Sequence, residues 1–97
     1  MPTYVSLIKW TDQGITRAKE APQRMAAVNE KVEAMGGKTI AFYALMGEYD
    51  FLRIEEFPSD EVAVAFLLWV SSLGTVRTTT MKAFSAQEFT EMVRSIL

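Results

Sequence analysis

The sequence contains neither cysteine nor histidine, and these two absences remove much of the usual chemistry. Without cysteine there is no disulfide frame, no thiolate nucleophile, no thiolate-held zinc and no iron–sulfur cluster. Without histidine the usual general base near neutral pH and the commonest transition-metal ligand are missing. Acid–base work is left to Asp, Glu, Tyr, Lys or water tuned by Arg, and any metal would be a hard cation held by oxygens. The expectation is no metal site and no tightly bound cofactor. A charge excess is missing too: ten basic and twelve acidic residues, spread without blocks, give a net charge of −2. Such a balance supplies no field for nucleic acid or anionic lipid, and neither is expected as a partner. Long hydrophobic runs are also absent. The longest, Val62 to Val70, is too short to span a bilayer. The start, Met1 to Lys9, lacks the basic region and apolar core of a signal peptide, so a cytoplasmic location is expected.

What is present reads as one globular domain over residues 1–97, with 49% hydrophobic residues. Thr3 to Trp10 is rich in β-formers. Alternation sets Thr3, Val5, Leu7 and Lys9 on one face and Tyr4, Ser6, Ile8 and Trp10 on the other. A short helical turn is expected over 15–21. Pro22 then opens a helix whose apolar stripe is Met25, Val28, Val32 and Met35, ended by Gly36-Gly37. Strands are expected over 39–45 and 51–57, joined by a hairpin turn at Met46 to Asp50 in which Gly47 takes φ > 0.

Ser59 caps the second long helix, with Asp60 and Glu61 in its first turn. Its core stripe reads Val62, Ala65, Phe66, Trp69, Val70 and Leu73. Its back is apolar too, through Ala63, Val64, Leu67 and Leu68, and is expected to be covered by the C-terminal helix or by another subunit. A fourth strand runs over 76–84. The capping box Ser85-Ala86-Gln87-Glu88 opens a last helix with Phe89, Met92, Val93 and Ile96 on one stripe.

The order β-α-β-β-α-β plus a C-terminal helix is the ferredoxin-like pattern, an α+β fold with a four-stranded antiparallel sheet and helices on one face. The other face needs a cover. Tyr4, Ile8, Phe51 and Phe57 exceed what the helices of one chain can bury. They are expected to form a homodimer interface on the order of 1,600 Å².

Four stretches resemble the GYD-domain family of small bacterial proteins. They are the opening Tyr4 to Ile15, the turn Gly47-Glu48-Tyr49-Asp50, and the two segments Ser72 to Thr78 and Thr80 to Phe84. The resemblance spans almost the whole chain. It implies a dimeric α+β barrel, two ferredoxin-like sheets packed face to face. It implies no one activity, because related folds include cofactor-free monooxygenases, haem-degrading enzymes, isomerases and small-molecule sensors.

The candidate catalytic pair is Asp50 with Tyr49: either a carboxylate base beside a hydroxyl donor, or a turn former beside a packing ring. Lys9, Trp10 and Asp12 form a candidate ligand site, or an edge-of-core Trp with an ion pair beside it. Tyr43, Arg53, Glu55, Arg77 and Thr79 line a polar cavity inside a barrel if alternation gathers them on one face, or else make interface ion pairs. The function expected is binding of a small organic molecule in a homodimer or higher oligomer, with cofactor-independent turnover as its enzymatic form. The alternative is a non-catalytic assembly or ligand-sensing module.

Overall fold

The computed structural model describes residues Met1–Leu97. Its strands are β1 (Thr3–Trp10), β2 (Lys38–Ala44), β3 (Phe51–Glu56) and β4 (Val76–Ala83). Its helices are α1 (Asp12–Thr16), α2 (Ala21–Ala34), α3 (Asp60–Ser72) and α4 (Ala86–Arg94), with a 3-10 turn at Ala18–Glu20. The strands form one antiparallel sheet in the order β2-β3-β1-β4. The chain therefore has the ferredoxin-like α+β fold that its element order dictates. None of its helices is long and apolar enough to cross a membrane.

Local chemistry sets the ends of these elements. The Thr11 hydroxyl accepts from Gly14 N–H at 3.1 Å and donates to the Gly74 carbonyl at 2.8 Å. That cap starts α1 at Asp12, earlier than the helical turn expected over 15–21, because a polar cluster ending in glycine also serves as a helix start. Gly14 is there for space: a Cβ on it would lie 2.0 Å from the Thr75 carbonyl oxygen. α2 stops in paired bonds, Gly36 N–H to Glu33 O and Gly37 N–H to Val32 O, both 2.9 Å. Ser59 Oγ caps α3 through Val62 N–H at 3.2 Å. Ser85 and Glu88 cap each other at the start of α4. In the hairpin, Gly47 has φ +134°, as its place in the turn requires.

The core lies between the sheet and α2 and α3. Tyr4, Val32, Phe57, Ala63, Phe66 and Val70 form it, with the Phe57 ring centroid 5.1 Å from Phe66 and 6.0 Å from Tyr4. Tyr4, Ile8, Phe51 and Phe57 thus lie under the helices, which corrects their assignment to a dimer interface. The β1–β3 register explains it: Tyr4 stands opposite Glu55, Ser6 opposite Arg53 and Ile8 opposite Phe51. The mixed aromatic and charged face of β3 is therefore the covered one. The open face carries the other alternation set, Val5, Leu7, Leu52 and Ile54, flanked by Tyr43 and Met81. It is still apolar along its middle.

Two further expectations shift. The β2–β3 register slips between Thr39 and Ala41, so Ile40 bulges out, where strict alternation along a strand over 39–45 would set it on one face with Phe42. On α3, Ala63 is buried and Leu67 turns inward, while Ala65 is exposed. Only Val64 and Leu68 remain of the apolar back, Leu68 at 69% exposure. The chain's own α4 does not cover them. That helix makes no substantial packing with any other element, and Phe89, Met92, Val93 and Ile96 are exposed. Its projection stretches the molecule to 52 Å. The radius of gyration is 14.8 Å, against about 12.5 Å for a compact chain of this length.

At the end of the sheet the Tyr4 hydroxyl donates to Asp60 Oδ1, and Lys82 Nζ lies 3.1 Å from the same oxygen. Burial first, then the Asp60 bond, pushes the Tyr4 phenol up to about 12. An unfolded tyrosine ionises near pH 10. The native state therefore keeps a proton that the unfolded chain loses, and the stability present below pH 10 is lost as pH rises toward 12. Denaturation midpoints should fall across that window. In Tyr4→Phe this step should vanish; an unchanged pH profile in the variant would rule out Tyr4 as its source.

Candidate functional site

A cavity of about 260 Å³ lies between the sheet and the two long helices. It exists because the side chains meeting there are small. Ser6, Thr75 and Thr78 rise from the sheet side, and Ala21 and Pro22 begin α2, so the layers approach without filling the space. Its remaining walls are mostly apolar: Ile8, Trp10, Phe42 and Phe51 from the strands, Met25 and Val28 from α2, Leu67 and Val70 from α3. Trp10 stands edge-on to Phe51, with centroids 4.9 Å apart. Its volume equals roughly eight or nine liquid waters, near the lower bound of small-molecule sites.

One end of the cavity is charged. Arg53 Nε donates to Glu55 Oε2 at 2.9 Å, and the two residues are 5% and 2% exposed. Arg53 Nη2 also donates to Asn29 Oδ1 at 2.7 Å and to Thr39 Oγ1 at 3.2 Å. The β2 bulge matters here, since it turns Thr39 to the helix side within reach of Arg53. Burial drives the Glu55 carboxyl above the usual range, against the opposing pull of the Arg53 charge. Beside this pair, Ser6 Oγ and Thr80 Oγ1 share a 2.7 Å bond.

The expected ligand set does not converge. Arg53 lies at the cavity with Glu55, whereas Tyr43, Arg77 and Thr79 sit on the open face, opposite Leu52, Lys9 and Leu7 respectively. Tyr43 is 60% exposed. Of Lys9, Trp10 and Asp12, only Trp10 lines the cavity. Lys9 reaches Glu48 at 3.5 Å and stands 5.1 Å over the Tyr49 ring. Asp12 is exposed in the first turn of α1. Asp50 Oδ2 accepts from the Trp10 backbone N–H at 2.9 Å, and its own N–H continues the ladder to Ile8 O at 2.8 Å. Neither Asp50 nor Tyr49 touches the cavity.

Asn29, Thr39 and Thr75 were not singled out by sequence reasoning. Their signal is weak, since a polar residue on a helix face or strand end is ordinary until its partner is placed. The stronger signal was in β3, where Arg53 and Glu55 stand between Phe51 and Phe57 on one face. Such a pattern demands either mutual pairing or a ligand. No group of three or more acidic side chains gathers to hold a metal ion.

The Asp50 geometry yields a direct test. If its carboxylate only braces the turn, Asp50→Asn keeps an acceptor for the Trp10 N–H and should cost about 1 kcal/mol in urea unfolding. Binding in the cavity should be unaffected. A loss of about a hundredfold in turnover or binding, with stability unchanged, would instead identify a working base.

Comparison with known proteins bears on the fold and the family. A Thermus thermophilus protein named glutamine synthetase and cystathionine beta-lyase binding protein is 33% identical over 84 residues, covering 86% of this chain and 88% of its own length. A crystal structure of a Thermus thermophilus protein superposes with a TM-score of 0.57 at 24% identity, covering 89% of this chain and 96% of that one. A feast or famine regulatory protein of M. tuberculosis, solved with L-methionine, gives a TM-score of 0.66 at 16% identity. That superposition covers 89% of this chain but 52% of the regulator, so the chain spans about half of that protein's length. These structural likenesses carry the fold. The family is carried by the GYD domain, whose model matches residues 4–93, and the chain belongs to the GYD domain family.

Proposed function

We propose that this chain is a non-catalytic binding module, taking up a small, mostly apolar organic molecule between its helices and sheet and working as a homo-oligomer. The cavity is the observation that carries this reading: about 260 Å³, largely apolar, with one charged pair at its end. Binding is favoured over turnover because the cavity offers little to a reaction. Its one carboxylate is tied to Arg53, and no hydroxyl that lines it is hydrogen-bonded to a general base. Likeness to a relative named for binding two enzymes supports a role in which the chain docks on other proteins.

Assembly is supported by what the single chain leaves bare. The open sheet face presents the half-buried Val5, Leu7, Leu52 and Ile54, and α4 holds an exposed apolar stripe away from its own body. A stable interface typically buries on the order of 1,600 Å², and packing two open faces with an α4 from each copy would cover both apolar surfaces. The homodimer interface proposed here lies on the opposite side of the sheet from Tyr4, Ile8, Phe51 and Phe57.

The cavity is tested with 1-hexanol at low millimolar concentration, read by thermal melting. A ligand that binds only the native state raises its stability, so the melting temperature should rise. Val28→Phe pushes a ring into the cavity and should abolish the increase. An equal effect of 1-hexanol on parent and variant would rule the cavity out as the binding site.

A further inference from the structure

The buried pair at the end of the cavity is only half used. Arg53 commits Nε to Glu55 and Nη2 to Asn29 and Thr39, so its Nη1 has no partner. Glu55 accepts through Oε2, and its Oε1 accepts from nothing. No side-chain nitrogen or oxygen of the chain is both sealed from solvent and unpartnered. These two atoms therefore front open space, and the space that both residues line is the cavity. A guanidinium donor and a carboxylate acceptor thus stand side by side at the end of an apolar chamber.

That arrangement sorts ligands by charge. The pair is neutral as a unit. A carboxylate entering would meet Arg53 but would stand against the Glu55 charge, and a buried like-charge contact is costly. An ammonium group would face the reverse problem. A head group that accepts from Arg53 and donates to Glu55, while carrying no net charge, satisfies both free atoms and adds no third buried charge. A wholly apolar molecule would fill the chamber but leave both atoms unpaired.

Resting on the cavity reading above, we propose that this site selects uncharged molecules with an apolar body and one donor–acceptor head, a primary carboxamide being the simplest. The carbonyl oxygen takes the Arg53 Nη1 hydrogen and the amide N–H points to Glu55 Oε1. The body lies along Ile8, Met25, Phe51 and Val70.

Calorimetric titration at pH 7 with hexanamide, hexanoate, hexylammonium and 1-hexanol tests this on the unmodified protein. Hexanamide should bind at least tenfold more tightly than either ion. In Glu55→Gln the pair becomes net positive, and the preference should invert toward hexanoate. If the parent prefers an ion, or binds all four alike, the head-group proposal is overturned while the cavity stands. If none of the four binds, the cavity reading fails with it. Should Glu55→Gln not fold, the ranking in the parent decides alone.

Discussion

Replacing Arg53 by methionine is expected to cost the fold about 3–5 kcal/mol at pH 7, measured by urea denaturation. The reason is what remains. Glu55 is 2% exposed and its bond to Arg53 is its only one, so the variant keeps a buried carboxylate with no counter-charge. Thr39 and Asn29 also lose a donor. Because burial already drives Glu55 above the ordinary carboxylate range, losing Arg53 drives it further. The native state of the variant then holds a proton that the unfolded chain lacks above the unfolded pKa. Its deficit should shrink as pH falls through the raised value. The double variant Arg53→Met with Glu55→Leu removes the stranded charge and should recover most of the loss. A double variant as unstable as the single one would show that the pair's hydrogen bonds, and not the unpaired charge, dominate.

The second large effect is on assembly. Leu52 stands opposite Leu7 at the centre of the open face, with Tyr43 on its other side. Light scattering of the parent at micromolar concentration should give at least twice the 10.9 kDa chain mass. Leu52→Asp places a charge in the middle of that contact and should return the protein to single-chain mass. Its circular dichroism should be retained, because the core lies on the other side of the sheet. A parent already monomeric at that concentration would refute the interface. A variant that kept its mass would move the contact elsewhere, with the exposed stripe of α4 and the Val64–Leu68 ridge of α3 next to be changed.

Much of the fold was legible because it follows from short-range rules. Ser59 and Ser85 announce two helix starts, Gly36-Gly37 announces a stop, and the stripe of Met25, Val28, Val32 and Met35 identifies one helix face. The order of elements then leaves few topologies. Facing was harder to read. Both alternation sets of β1 are rich in apolar residues, so period two alone does not say which set the helices cover. The face that carries Arg53 and Glu55 mixes charges with Phe51 and Phe57, and a dry core does not accept such charges unpaired. Their mutual pairing, which makes burial tolerable, is a fact of register and side-chain geometry. The Ile40 bulge was invisible for the same reason: a one-residue slip is set by the partner strand and not by the sequence of β2.

The site was less legible still. Charged and aromatic residues were grouped by type and spacing, but only Trp10, Arg53 and Glu55 of the candidate set line the cavity. The chamber itself is made by small residues, Ser6, Ala21, Pro22, Thr75 and Thr78, which carry no chemical signature. It becomes visible only when the helices are placed on the sheet.

Whether ligand enters between helices and sheet is decided by intermolecular nuclear Overhauser effects from hexanamide. Contacts are expected from the alkyl chain to the methyl groups of Met25, Val28, Leu67 and Val70. Contacts confined to Val5, Leu7, Ile54 and Met81 on the open face would contradict such entry.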